Sequence, residues 1–167
     1  MAHTDDVDRI IEQWGRERPD LDTTAMAVFG RIYRLARTAG DEVERAYAEF
    51  GIGRAEFDVL ATLRRAGEPY ELSPGALAAS MMLSTGGTTA RLDRLEKAGL
   101  AERRPSPTDR RGVLVRLTDT GRTTVDGALE SLLARERALL AGLGPRQQSQ
   151  LAGLLRELVV PFEAEPR

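Results

Sequence analysis

LSPGALAASMMLSTGGTTARLDRLEKAGLAERRPSPTDRRGVLVRLTDTG, residues Leu72–Gly121, is the stretch whose reading decides the fold. Ser73 followed by Pro74 starts a helix, because serine caps free backbone N–H groups and proline suits the first helical position. The helix predicted there is short, Gly75–Ser80. Ser84 caps a second one, Thr85–Ala98, which Gly99 stops. On that second helix Leu92 and Leu95 face inward, with Ala98 one turn on, and Thr85, Thr88, Thr89 and Arg94 remain for solvent or DNA. Leu100–Arg104 and Val113–Leu117 read as short strands, the alternation in VLVRL suiting a half-exposed ribbon. The loop PSPTDRRG between them is punctuated by Pro105, Pro107 and Gly112. Helix, turn, helix, strand, loop and strand in this order make a helix-turn-helix followed by a wing, an arrangement that grips duplex DNA.

Outward from this stretch the chain is helical. Asp5–Arg16 carries Val7, Ile10, Ile11 and Trp14 at helical spacing, and GRERPD breaks it. Asp22–Phe50 is a long helix with an apolar stripe running from Val28 and Phe29 to Tyr47 and Phe50, ended by Gly51 and Gly53. Arg54–Arg65 is a third helix. After the wing, Thr118 or Asp119 caps a helix to about Leu143, and Gly144–Pro145 turns the chain into a last helix with Leu151, Leu154, Leu155, Leu158, Val159 and Phe162 on one stripe. The expected fold is mainly α with a small β-wing: a single domain over residues 1–167. Its parts are N-terminal helices (1–50), a winged helix-turn-helix (51–121) and C-terminal helices (122–167). The terminal helices hold more leucine than one small winged domain needs, so they are expected to form a homodimer. A two-fold dimer sets two recognition helices one DNA turn apart and reads a pseudo-palindrome.

Charge supports the same reading. The whole chain has a formal net charge of −2, yet Ser84–Arg116 holds eight basic residues against four acidic ones, a net +4 that leaves −6 for the remainder. Positive charge gathered on one segment is what phosphate neutralisation requires. Ser84, Thr85, Thr88, Thr89 and Arg94 are the expected major-groove contacts. Arg110 and Arg111 at the wing tip are expected at the minor groove or its phosphates. Asp109 is expected to orient a wing arginine or bond the turn backbone. Gly86 and Gly87 serve either a close backbone approach to phosphate or a tight helix crossing.

Other classes lose ground. The chain has no cysteine and a single histidine, His3, so disulfides, thiolate metal sites and histidine catalysis are not expected. No phosphate-binding glycine loop, metal-ligand cluster or nucleophile motif is present, so neither an enzyme nor a bound cofactor or metal is expected. The acidic N-terminus is unlike a signal peptide, and no apolar run reaches membrane-span length, which points to the cytoplasm. A winged-helix module used only for protein assembly is the remaining alternative, and the paired wing arginines argue against it.

TTARLDRLEKAGLAER (Thr88–Arg103), DRRG (Asp109–Gly112) and LTDTG (Leu117–Gly121) together resemble the MarR family of winged-helix regulators. The resemblance implies a homodimer that binds DNA near its own or a neighbouring gene, usually as a repressor, with a small molecule loosening its grip. Trp14 on the first helix, ERPDLDT, EFDVLATLRRAG and the Leu72–Pro74 helix start further resemble the urate-responsive, PecS-like branch. That resemblance implies a ligand site of Trp14, Asp58, Arg91 and Arg103 for urate, a related purine or an unrelated aromatic acid. By pattern alone Trp14 reads as helix core, Asp58 as a surface charge or ion pair, and the two arginines as phosphate contacts. The chemistry suits a flat monoanion: an aromatic face stacks on it and guanidinium groups offer planar paired donors. Ala90, where the branch has asparagine, and the preceding Gly86–Gly87 depart from its pattern.

Overall fold

The computed structural model describes residues 4–81, 85–107, 109 and 112–163. The chain divides into two compact units, Met1–Arg45 and Ala46–Arg167.

The first unit holds α1 (Asp6–Glu17) and most of α2 (Thr24–Ala48). Asp5 caps α1, accepting hydrogen bonds from the backbone N–H of Val7 (2.8 Å) and Asp8 (3.0 Å), while Asp8 accepts one from the N–H of Asp5 in return. This reciprocal box satisfies N–H groups that no helical carbonyl can reach. Arg31 of α2 then donates to Asp5 (2.9 Å) and Asp8 (2.6 Å), and Arg34 pairs with Asp6. Val7 is 3% exposed because it sits on Gly30, where an added Cβ would meet Val7 Cγ1 at 3.0 Å. Val28, Phe29, Tyr33 and Leu35 remain exposed.

The second unit is built around α3 (Arg54–Arg65), whose Val59, Leu60 and Leu63 are fully buried. Against it pack α4 (Pro74–Ser80), α5 (Thr85–Lys97) and α6 (Asp119–Leu139). They supply Leu77, Leu92, Leu95, Val125 and Ala128 to the same core. Each such leucine contributes roughly 1.5–3 kcal/mol by leaving water. Tyr47 stacks on Phe57 with ring centroids 4.3 Å apart. The Ser73 hydroxyl accepts from the N–H of Ala76 (3.2 Å), as the Ser73–Pro74 pair predicts. Gly99 has φ +69 after α5, the left-handed conformation that lets a helix stop and the chain turn.

Three differences from the expected elements have local causes. The sheet has three strands in the order β1–β3–β2, because β1 (Glu71–Leu72) pairs antiparallel with β3 (Val113–Leu117) as well as β2 (Ala101–Pro105) does. Two residues are too few to show an alternating pattern. Helix α6 ends at Leu139, short of the expected Leu143, because the Gln148 side chain donates to the carbonyls of Leu140 (3.3 Å) and Leu143 (2.9 Å) and so satisfies the chain after the helix stops. Ala98, expected to face inward, is exposed. It lies just past the end of α5, where the inward stripe of Leu92 and Leu95 no longer applies. The last helix, α7 (Pro145–Glu163), keeps Leu154, Leu158, Val159 and Val160 about half exposed, and Leu129 and Leu133 of α6 are similarly open. Among the described residues no helix is long and apolar enough to cross a membrane.

Candidate nucleic-acid interface and adjoining cavity

In the wing, β2 and β3 pair from Ala101 opposite Leu117 to Pro105 opposite Val113. Burial falls along this ribbon: Val115 and Leu117 are buried, and Val113 is 41% exposed. Its far end is closed by hydrogen bonds from the N–H of Ser106 to the Gly112 carbonyl and from the N–H of Gly112 to the Asp109 carbonyl, each 2.9 Å. The N–H of Asp109 also donates to the Ser106 hydroxyl (3.2 Å). Arg110 and Arg111, together with Ser84, lie outside the described residues.

The second helix of the motif, α5, does not present all its polar residues outward. Thr88 is 1% exposed, which corrects its assignment to solvent or DNA. The reason is helical spacing: Thr88, Leu92 and Leu95 stand at four- and three-residue steps and share the inward face. Thr89 is exposed. Thr85 opens the helix. Arg94 is exposed, and its Nε is 2.7 Å from Glu56 Oε1 of α3. Glu56 also reaches back to the start of its own helix. Burial pushes its carboxyl up, but the Arg94 guanidinium and the backbone N–H groups of Glu56 and Gly53 outweigh that, holding it below the ordinary carboxylate value. Glu49 is lowered likewise by Ser131 and Arg135, and Asp8 by the backbone of Asp5 and by Arg31.

Lowered carboxylates give stability that is fully present above their unfolded value, about 4.3 for glutamate, and is lost as pH falls through the folded value. Melting temperature should therefore hold down to about pH 5 and drop below it, as these carboxylates take up protons. Glu56→Gln should flatten that drop by the share of one carboxylate. Identical pH profiles for the two proteins would show that the Glu56–Arg94 pair contributes nothing.

The four residues of the expected ligand site are placed differently from one another. Trp14 stands on α1 in the first unit and is 44% exposed. In the second unit Asp58 and Arg91 line one cavity of about 260 Å³, together with Thr62, Arg65, Ser80 and Met81. The walls come from α3, the C-terminal end of α4, and α5. Arg103, on β2, does not line it. Its backbone N–H donates to Glu96 Oε1 (2.9 Å), and its guanidinium bonds Glu96 and, at 2.8 Å, Asp93. Those contacts fasten α5 to the root of the wing. Arg65 on the cavity wall and Glu56 beside Arg94 are not among the residues expected from the sequence. The signal for Arg65 was its seven-residue spacing from Asp58, two helical turns on one face. For Glu56 it was a glutamate in the first turn of α3, where a carboxylate reaches back to the helix start.

A short-turned helix pair lying on α3, followed by a β2–β3 ribbon with basic residues in its loop, defines the winged helix-turn-helix class. Residues 50–112 match the MarR family. The chain is 37% identical over 155 residues to the HTH-type transcriptional regulator PecS of Dickeya dadantii (strain 3937), covering 93% of each. It is 25% identical to a mutant MarR from E. coli complexed with operator DNA, with a TM-score of 0.65 over 87% of this chain and 97% of that one. AbsC, a MarR family transcriptional regulator from Streptomyces coelicolor, shares the fold: TM-score 0.73 at 22% identity, over 87% of this chain and 98% of that one. The chain belongs to the MarR family. It is a transcriptional regulator and not an enzyme.

Proposed function

We propose that this protein is a cytoplasmic homodimeric repressor that grips pseudo-palindromic operator DNA and is released by a small aromatic anion such as urate. The observation that carries the proposal is the shared cavity of Asp58 and Arg91, since Arg91 belongs to the helix that would enter the major groove. A ligand drawing on Arg91 acts on the DNA-reading element itself. Coupling then requires only that the ligand bind the DNA-incompetent arrangement more tightly than the competent one. Asp58 is the proposed acid that stands beside Arg91 on the cavity wall, and Trp14 the stacking face that the resemblance implies. Arg103 is proposed to yield to the ligand through its hold on Asp93 and Glu96, which would loosen α5 from the wing. The transcriptional regulator PecS, at 37% identity, supports the regulator reading, and the mutant MarR complexed with operator DNA supports an operator as its target.

In this reading Ser84, Thr85, Thr89 and Arg94 face the major groove, and Arg110 and Arg111 reach the minor groove from each wing. Exposure of Thr89 supports its part. The exposed apolar side chains of α7 and α6 support the dimer: Leu154, Leu155, Leu158 and Val160 of α7 and Leu129 and Leu133 of α6 all stay substantially exposed. Leu158→Asp should convert the dimer to a monomer in analytical ultracentrifugation and abolish tight operator binding. A variant that remains dimeric would move the dimer interface elsewhere.

The deciding experiment is fluorescence anisotropy of labelled DNA from upstream of the protein's own gene, titrated with protein and then urate. Nanomolar binding reversed by urate supports the whole proposal. Tight binding that urate leaves untouched keeps the DNA function and assigns the cavity to another anion. Weak binding without salt dependence would point to a winged-helix module used for protein assembly.

A further inference from the structure

Arg65 stands in the same cavity as Asp58 and Arg91 and has no assigned role. It lies seven residues after Asp58 on α3, so two helical turns bring the two to one face, with Thr62 between them. Arg65 Nη2 is 3.2 Å from the Thr62 hydroxyl oxygen, and that hydroxyl donates to the Asp58 carbonyl at 2.7 Å. These contacts leave most of the guanidinium's five donors unused.

The charge pattern separates Arg65 and Arg91 from their neighbours. Arg94, Arg103 and Arg104 are each engaged by a carboxylate: Glu56, Glu96 with Asp93, and Glu102. Among the described residues no carboxylate lies within ion-pair distance of Arg65 or Arg91. The cavity wall therefore carries two guanidinium groups and one carboxylate, a net charge of +1 suited to one negative charge. The two guanidiniums come from different helices, α3 and α5, so an anion held by both is a bridge between the core helix and the recognition helix.

We propose that Arg65 is a ligand-binding residue that, opposite Arg91, clamps the charged edge of a planar aromatic monoanion. The inference rests on the reading of this cavity as the effector site and adds the residue that selects for negative charge. It also gives the signal a direction: the anion fixes α5 to α3 in one arrangement, because one end of the clamp is on each helix.

The test is isothermal titration calorimetry on the full chain with urate and, separately, benzoate, for the native protein, Arg65→Ala and Arg65→Lys. Loss of a charge-assisted pair should weaken binding of at least one anion about tenfold or more in Arg65→Ala. The variant should melt at the native temperature, since Arg65 is exposed. Arg65→Lys should recover part of the affinity but not all, because an ammonium group lacks the planar pair of donors. The salt dependence of anion affinity should flatten in Arg65→Ala, which loosened packing alone would not produce. Native-like binding and salt dependence in Arg65→Ala would overturn the role of Arg65 and leave the effector reading standing. A native protein that binds neither urate nor benzoate would overturn both.

Discussion

Gly121→Ala should destabilise the protein by about 3 kcal/mol or more, the upper range for forcing atoms into a closely packed site. Gly121 lies in the first turn of α6, where alanine would ordinarily gain about 1 kcal/mol over glycine through helix propensity. Here a Cβ would overlap the Leu100 carbonyl oxygen, with the carbonyl carbon at 2.8 Å and Leu117 Cδ1 at 3.0 Å. The obstacle is backbone, which no rotamer change can move. That backbone is held in place: Leu100 O accepts from the N–H of Thr118 (3.2 Å), and the Thr118 hydroxyl donates to Gly99 O (2.8 Å) while accepting from the N–H of Gly121 (2.9 Å). The start of α6 is thus sewn to the turn between the recognition helix and the wing. Thermal and urea unfolding would measure the loss, a fall in melting temperature of roughly 6–12 °C for 3 kcal/mol in a chain of this size. Gly15→Ala is the control, because a Cβ there meets nothing within 4 Å. Equal stabilities for the two variants would mean that α6 can slide off Leu100 at little cost.

Removing both wing arginines, Arg110→Ala with Arg111→Ala, should lower operator affinity by about 100-fold if, as proposed, both guanidinium groups meet DNA. The weakening should be nearly uniform across DNA sequences wherever the arginines meet phosphate. The slope of log affinity against log salt should shrink by roughly 0.9 for each phosphate contact removed. Anisotropy titrations between about 50 and 200 mM salt would read both quantities, since phosphate contacts change affinity steeply over that range. The ribbon below these residues is well braced by the β2–β3 pairing and by the bonds joining Ser106, Asp109 and Gly112. The substitutions therefore test DNA contact rather than folding. An unchanged affinity and slope would take the wing tip out of the interface and leave α5 as the main contact.

The glycine that closes LTDTG shows where local reading stops. As a motif residue Gly121 was recognisable, but its reason is a carbonyl twenty-one positions earlier in the chain. The Thr88 side chain shows the opposite case. Its burial follows from spacing against Leu92 and Leu95, so the sequence contained the answer, and the expected polar role of a threonine in a DNA-reading helix obscured it.

By itself the sequence determined the order of the helices, the caps at Ser73 and Thr118, the strand pair of the wing, and the family. Those features are written in neighbours three to four residues apart, in Ser73–Pro74, in Gly99 and in the alternation of Val113–Leu117. Only the tertiary structure decided which charges meet. It engaged Arg103 with Asp93 and Glu96, bound Arg94 to Glu56, and put Arg65 with Arg91 on one cavity wall. Arginine side chains are long, and several carboxylates lie within reach of each in sequence terms. The choice among them depends on how α3, α5 and β2 pack, a relation no local pattern encodes.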